Sequence, residues 1–372
     1  GEKPRIRLPQ LIETHQRSLV GAVSKVDPEK LQIHPAELLS NTLQGHGMGL
    51  TAIMNAGGMA NNPPGLYLRG LSAFSNNQLM TVVDGIERPI EDLIPEEIES
   101  IELLKDATAK ILMGPRAANG VLMITTERGE KYKKNITTSV SYGMGSPTRL
   151  PQFLDSYDYA RLYNEARTND GLTPLYTEED LQGYQNSSGP NDLRYPDVDY
   201  YNYFLKNYNT MKKATAGFTG GNDVVQYSAI LGYTGYEGLQ KYGKKPNNNR
   251  FNARGNIDLT ITDAVSAHMG IGTTIEYWKI GGINHAETFG RLSSHRPNEY
   301  PLILEHPSLT ELESEDEEDR VFYGASYDRN GNVLMALSQG GYRSNEFISS
   351  QMNFGMNFDL SQFVDGLSAS SF

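Results

Sequence analysis

The chain has no cysteine among its 372 residues and a single tryptophan. The first absence excludes disulfides, thiol chemistry and cysteine-type zinc sites. Basic residues are outnumbered, with 33 Lys and Arg against 45 Asp and Glu, a formal charge of -12 and a pI near 5.1. No basic stripe interrupts that balance, so nucleic acid is not expected as a partner. No apolar run is long enough for a membrane helix, and mean hydropathy is -0.49. Neither fact excludes a transmembrane β-barrel, whose strands alternate lipid-facing and lumen-facing residues and average out as polar. No signal peptide is visible at Gly1, which reads either as a cytosolic protein or as a trimmed, mature or partial chain. What is abundant is tyrosine, 22 residues, and glycine, 37, a mixture that favours β-structure with many turns.

The chain divides into three stretches. Residues 1–19 are weakly patterned and read as a lead-in; residues 20–133 read as a compact α+β domain; residues 134–372 read as long alternating strands. In the second segment LYLRGL (Leu66–Leu71) is a short strand. LMTVVDGIERPI (Leu79–Ile90) is an apolar run broken at Asp84-Gly85, a hairpin signal because both positions tolerate positive φ. Pro95 with two following glutamates suits a first helical turn. Ile101 and Leu103 then alternate as in a strand. Asp106 is expected to cap a helix over DATAKILM that stops at Gly114, and VLMITTE closes the unit as a buried strand.

After Asn135 the period becomes two. NRFNARGNIDLTIT places Phe251, Ala253, Gly255, Ile257, Leu259 and Ile261 on one face and Asn252, Arg254, Asn256, Asp258 and Thr260 on the other. AVSAHMGIGTTIEYW and FISSQMNFGMNFDL repeat the pattern, and VVQYSAILGYTGY does so less sharply. Runs of this length match the ~9–11 residues of a tilted membrane strand better than the ~5–6 of a globular one. Tight turns at Gly220–Asp223 and Thr262–Ala264 alternate with long connections over Ser146–Met211, Glu237–Asn249 and roughly Trp278–Asn345. Outer-membrane barrels alternate short periplasmic turns and long external loops in this way. Six complete strands are expected, with a seventh beginning near Leu367.

GPRAANGVLMITTERG, from Gly114, has the look of a phosphate-cradling loop but lacks the Gly-Lys-Ser/Thr ending that holds phosphate and magnesium. It takes its meaning from LYLRGL, TVVDGI and IPEEIESIELLKDATAKILMGPRAANGV. Together these resemble the plug of a TonB-dependent outer-membrane receptor, and more narrowly the SusC/RagA branch of Bacteroidetes. The tokens are Arg69-Gly70, Val82–Gly85 with Asp84, Ile98–Asp106, and Arg116–Val121 with Asn119 and Gly120. LDSYDYARLYNEA, YPDVDYYNYFLK and GGNDVVQYSAILGYTGYEG resemble the early barrel of that branch. Departures are Met113, where the family has an aromatic, and the lack of a recognisable TonB box near residues 1–19.

The resemblance implies an α+β plug followed by antiparallel transmembrane β-barrel strands. It implies outer-membrane import of an oligosaccharide or peptide with a SusD-like surface lipoprotein, coupling to the TonB complex, and a dimer of transporter–lipoprotein pairs in outer-membrane lipid. No catalysis and no cofactor are implied. The family barrel has 22 strands, on the order of 220 residues at ~10 each before any loop. Here 372 less 134 leaves 238 with much loop, so the remaining strands are expected from elsewhere. The reading that competes is a soluble β-rich glycan-binding or adhesion domain, whose apolar strand faces would need a second sheet.

Candidate contacts follow from the same resemblance, since plug loops point to the cargo cavity. In NAGGMANNPPG and SAFSNNQ they are Asn61, Asn62, Asn76 and Asn77. In the first long connection Tyr184, Tyr200 and Tyr201 lie among clustered tyrosines whose faces could stack on sugars, or form an interfacial girdle. ELESEDEED (Glu311–Asp319) carries seven acids in nine residues and reads as a solvated loop tip rather than a calcium site. YDRNGNV (Tyr327–Val333) is an Asn-Gly turn without the closing glutamate of a calcium loop. The seven histidines form no metal pair.

Overall fold

The computed structural model describes residues 5–8, 12–15, 22–33, 36–54, 63–71, 77–305, 321–327 and 331–371. β1 (Arg5–Leu8) and β2 (Ile12–His15) form a small hairpin. β3 (Val23–Val26), α1 (Pro28–Ile33), α2 (Leu39–Thr42), β4 (Leu50–Ile53), β5 (Gly65–Leu68), β6 (Met80–Val83), β7 (Ile86–Glu87), β8 (Ile98–Leu104), α3 (Asp106–Met113) and β9 (Val121–Thr126) make the first unit. Its main sheet has the order β3-β8-β9-β6-β7, with β4 and β5 paired separately. β9 lies centrally, parallel to β6 and antiparallel to β8, and all six of its residues are buried. A strand covered on both faces reads as a continuous apolar run, which is why VLMI does not alternate. Leu31, Leu39, Leu43, Leu93, Ile101, Leu103, Leu122 and Ile124 fill the core beside it.

The Asp84-Gly85 turn forms as its residue types demand, with φ of 48° and 84°. Asp84 is also a staple, accepting hydrogen bonds from the Thr126 backbone N–H at 2.9 Å and its hydroxyl at 2.8 Å. Gly120 has φ 95°, and a Cβ there would stand 2.4 Å from Leu68, so the approach of β5 requires glycine. Two local expectations are corrected. Pro95 opens a single 3-10 turn, Pro95–Glu97, because β8 begins at Ile98. Asp106 is the first residue of α3 rather than its cap, and its carboxylate instead clasps Arg69 at 2.5 and 2.9 Å.

The second unit is one seven-stranded antiparallel meander. Its strands are β10 (Lys134–Gly145), β11 (Asn209–Gly221), β12 (Val225–Glu237), β13 (Asn247–Thr262), β14 (Val265–Gly281), β15 (Tyr342–Asp359) and β16 (Ser368–Ser371), in that order. Six long strands and the start of a seventh match the count from periodicity. They run 12 to 18 residues, longer than expected, and continue into stretches read as loop, such as Asn209–Met211 and Trp278–Gly281.

Burial along this sheet is inverted relative to a water-soluble protein. On β13 the polar Asn248, Arg250, Asn252, Arg254 and Asn256 are buried, while Phe251 and Ile257 are exposed. Leu231, Met269, Ile271, Ile348, Met352 and Phe354 continue the exposed apolar face. Such a face is stable against hydrocarbon.

The long connections are not extended loops. They carry α4 (Ser156–Asn169), α5 (Glu178–Gln185), α6 (Tyr200–Phe204), α7 (His285–Ser294) and α8 (Val333–Gln339). Val198, Phe204, Leu205, Leu292, Tyr300, Leu302, Val333 and Leu337 form a separate apolar core beyond the strand ends. No helix among the described residues is long and apolar enough to cross a membrane.

Candidate functional site

The polar face of β12 to β14 does not face water; it faces the first unit. The inward side chains of β13 to β15 converge on the segment between β7 and β8. Asp92 is the hub. Its carbonyl accepts from Asn252 Nδ2 at 2.7 Å and Thr274 Oγ1 at 2.9 Å, and its carboxylate accepts from Ser349 Oγ at 2.8 Å and Gln351 Nε2 at 2.9 Å. One residue thus ties three strands. Arg88 adds bonds to Gln351 at 3.1 Å and to Asn353.

Below this hub Glu97 meets Arg254 at 3.0 Å, with side chains 1% and 5% exposed. Burial pushes the Glu97 carboxyl up and the guanidinium pulls it back. Arg128 pairs with Asp258, and Asn256 Nδ2 donates to Thr126 Oγ1 and the Glu127 carbonyl, each at 2.8 Å. Glu127 itself is pushed up to about 7 by burial, then by the charges of Glu99 and Glu130. Higher on the wall, Arg250 pairs with Glu276 at 3.1 Å, and Asn248 bridges Glu276 and Glu37 at 2.6 and 2.8 Å. On the β11 side an ion pair, Lys213 to Glu96 at 2.7 Å, crosses the seam.

These seam residues carry no catalytic arrangement. They clamp a folded body against a polar wall. Among the described residues no three His, Asp or Glu side chains gather as metal ligands.

Of the residues singled out for contact with cargo, Asn61, Asn62 and Asn76 lie outside the described residues, as does the acidic run Glu311–Asp319. Asn77 is half-buried at the approach to β6. Tyr184, on α5, belongs to a ladder of rings, 5.8 Å from Tyr176 and 5.4 Å from Tyr195, and burial leads the causes that push its phenol up to about 12. Tyr200 and Tyr201 are 4% and 6% exposed in the external core; Tyr201 shares a 2.8 Å hydrogen bond with Ser293. Their rings are occupied by packing against Phe204 and Phe153.

The motif residues of the first unit do come together. Arg69 holds Asp106, Arg116 holds Glu87 at 2.8 Å, and Asn119 donates to the Gln78 carbonyl at 3.3 Å. Gly70 and Gly114 supply positive φ at the adjoining turns. The seam residues Asp92, Lys213 and Glu276 carry no role in the sequence reading, and Glu97 enters it only as a first-turn glutamate after Pro95. The alternation had placed Asn252, Arg254, Asn256 and Asp258 on one polar face, and that was their signal.

Residues 15–121 match the TonB-dependent Receptor Plug Domain family. Over 245 residues the chain is 28% identical to TonB-dependent receptor P3 of Formosa agariphila, covering 65% of this chain and 22% of that protein. It is 26% identical over 258 residues to TonB-dependent receptor SusC of Bacteroides thetaiotaomicron, covering 66% and 23%. The chain therefore spans about a quarter of the length of these relatives. In fold it is similar to the RagAB peptide importer in its open-open state, with a TM-score of 0.73 at 19% identity over 99% of this chain and 41% of that one. A plug motif set, an inside-out sheet and these likenesses agree: residues 15–121 are a TonB-dependent receptor plug, and with the strands that follow the chain is similar to outer-membrane receptors of the SusC/RagA type, a family of transporters and not of enzymes.

Proposed function

We propose that the chain serves TonB-dependent import of an oligosaccharide or peptide across the outer membrane, together with a SusD-like lipoprotein lid. The observation that carries this reading is the seam: a folded plug held in a polar wall by hydrogen bonds and ion pairs. Apolar packing would fix the plug; polar contacts can be exchanged for water, since a typical hydrogen bond is worth only ~0.5–1.5 kcal/mol net. The exposed row of Leu231, Phe251, Ile348, Met352 and Phe354 speaks against the soluble binding-domain alternative.

In this reading residues 1–19 lead to TonB, 20–133 are the plug and 134–372 belong to the wall and its external loops. Asn61, Asn62, Asn76 and Asn77 meet the cargo from the plug, and Tyr184 meets it from the external helices. Tyr200 and Tyr201 hold those helices in place. One structural relative is a peptide importer, which supports the peptide class; the oligosaccharide class rests on the family resemblance of the motifs.

Native mass spectrometry of the detergent-solubilised complex tests the reading. Import predicts co-purification with further barrel strands, a lipoprotein and a bound oligosaccharide or peptide. A soluble monomer without detergent would refute it.

A further inference from the structure

The plug does not touch the wall evenly. Against β13 and β14 the seam is closed, and Asn252, Arg254, Asn256, Thr274 and Glu276 are all 7% exposed or less. Against β10 and β11 it is hollow. At the long-loop end a cavity of about 270 Å³ lies between the wall residues Asn209, Met211 and Tyr236 and the plug residues Glu37 and Asn41. At the short-turn end a larger cavity of about 770 Å³ lies between Thr137, Ser139, Thr215 and Thr219 of the wall and Gln32 and Glu99 of the plug.

The two are stacked along one strand. Inward-facing residues of β11 are every second one, so Met211 borders the upper cavity and Thr215 the lower. Lys213 stands between them, paired to Glu96 across the seam, with side chains 12% and 17% exposed. Tyr236, Thr234 and Gly232 on β12 keep the same order beside Met211, Lys213 and Thr215.

We propose that the two cavities are the ends of one solute route along β10 and β11, and that the Lys213–Glu96 pair is the gate between them. The pair suits that task. It joins plug to wall, so breaking it connects the chambers. It is one-toothed: Glu96 Oε2 is buried without a hydrogen-bond partner, so the contact lacks the second bond of a forked carboxylate pair. Glu96 shares its turn with Glu97, which Arg254 anchors, so the turn stays put while the flexible lysine stem swings. The plug residues lining the chambers, Asp27, Pro28, Glu29 and Gln32 below and Ala36, Glu37 and Asn41 above, follow β3, an edge strand held to β8 over four residue pairs. Displacing these residues widens the whole route while the β13–β15 side remains clamped.

The route rests on the import reading, but its test needs neither cargo nor energy. The intact receptor is placed in an outer membrane over a periplasmic β-lactamase, and nitrocefin influx is measured. Lys213→Ala and Glu96→Ala should each raise influx about fivefold, the effect of losing roughly one weak ion pair. Lys213→Arg, and the double exchange Lys213→Glu with Glu96→Lys, should stay near wild type. Asn252→Ala removes seam bonds on the closed side and should not leak. Influx unchanged in both single variants overturns the gate, and so does equal leakage from Asn252→Ala, which would mean general loosening. Heat-modifiable migration identifies variants that fail to insert, and Lys213→Gln then replaces Lys213→Ala. Gated leakage from a receptor that takes up no oligosaccharide or peptide would sink the import reading and leave the gate standing.

Discussion

Arg254 and Glu97 are 157 positions apart in sequence and share one buried ion pair. Removing one partner of such a pair strands the other charge, which costs on the order of 3–5 kcal/mol. Arg254→Ala should therefore lower the urea midpoint for plug release strongly, and Arg254→Met with Glu97→Gln should recover most of the loss; equal midpoints for all three proteins would refute the pair's role. Glu127 makes a pH prediction. Its folded-state pKa is raised, from 4.5 to about 7, so the seated plug favours the protonated form. Its contribution to stability is fully present below the unfolded value and is lost as pH rises through the folded one. Glu127→Gln should stabilise the junction at pH 8 and leave it unchanged at pH 4, which thermal melts at both pH values would read. The sequence displays Arg254 on a polar strand face, because alternation is local. It cannot display Glu97 as the partner, because strand register and plug docking, not spacing along the chain, decide which plug carboxylate each wall arginine meets.

Strands and helices differ in how openly they declare themselves. β12 to β15 are legible because every second side chain must satisfy lipid, and no tertiary contact overrides that demand. Leu231 sits near the middle of β12 and is 55% exposed. Arginine there should cost about 2–4 kcal/mol if that level is the bilayer midplane. The expected result for Leu231→Arg is a smaller folded, heat-modifiable fraction, whereas Ser228→Ala on the lumen face should keep the barrel folded. The external helices read as loop, although their caps are written in the sequence. Thr177 and Asp180 form a reciprocal capping box on α5, and Asn332 caps α8 through the Leu334 and Met335 N–H groups. What conceals α5 is its weak amphipathicity, since it buries no residue fully, and what conceals the rest is that the external core is assembled from pieces of separate connections. Asn332 is 1% exposed and also donates to the Leu302 and Gly324 carbonyls. Asn332→Ala should remove about 1–3 kcal/mol from that core by leaving buried acceptors unpaired, seen as faster proteolysis within residues 285–339 while the strands stay protected.

At the scale of the molecule the plug and the wall supply each other's missing solvent. The wall's lumen face is too polar for lipid and the plug's outer surface too charged for a dry interface, so each is satisfied only by the other. The same reasoning bears on the sheet's edges. Among the described residues β10 is hydrogen-bonded only to β11, over twelve residue pairs, and its other edge presents an unbroken row of backbone N–H and C=O groups. Within hydrocarbon each unpaired group costs several kcal/mol, and among the described residues no seam contact reaches that edge to offset it. Ile136, Val140, Tyr142 and Met144 are nonetheless exposed and apolar, so β10 carries a lipid-facing row and belongs in the bilayer. Residues 1–372 refolded alone into detergent should therefore give no heat-modifiable species and should aggregate through β10. Co-refolding with the complementary strands of the same receptor should restore a folded band, and protect the β10 amides against hydrogen exchange to the level of β12. A stable folded band from residues 1–372 alone, with slow exchange along β10, would show that this edge is satisfied without a partner strand and would overturn the closed-barrel account.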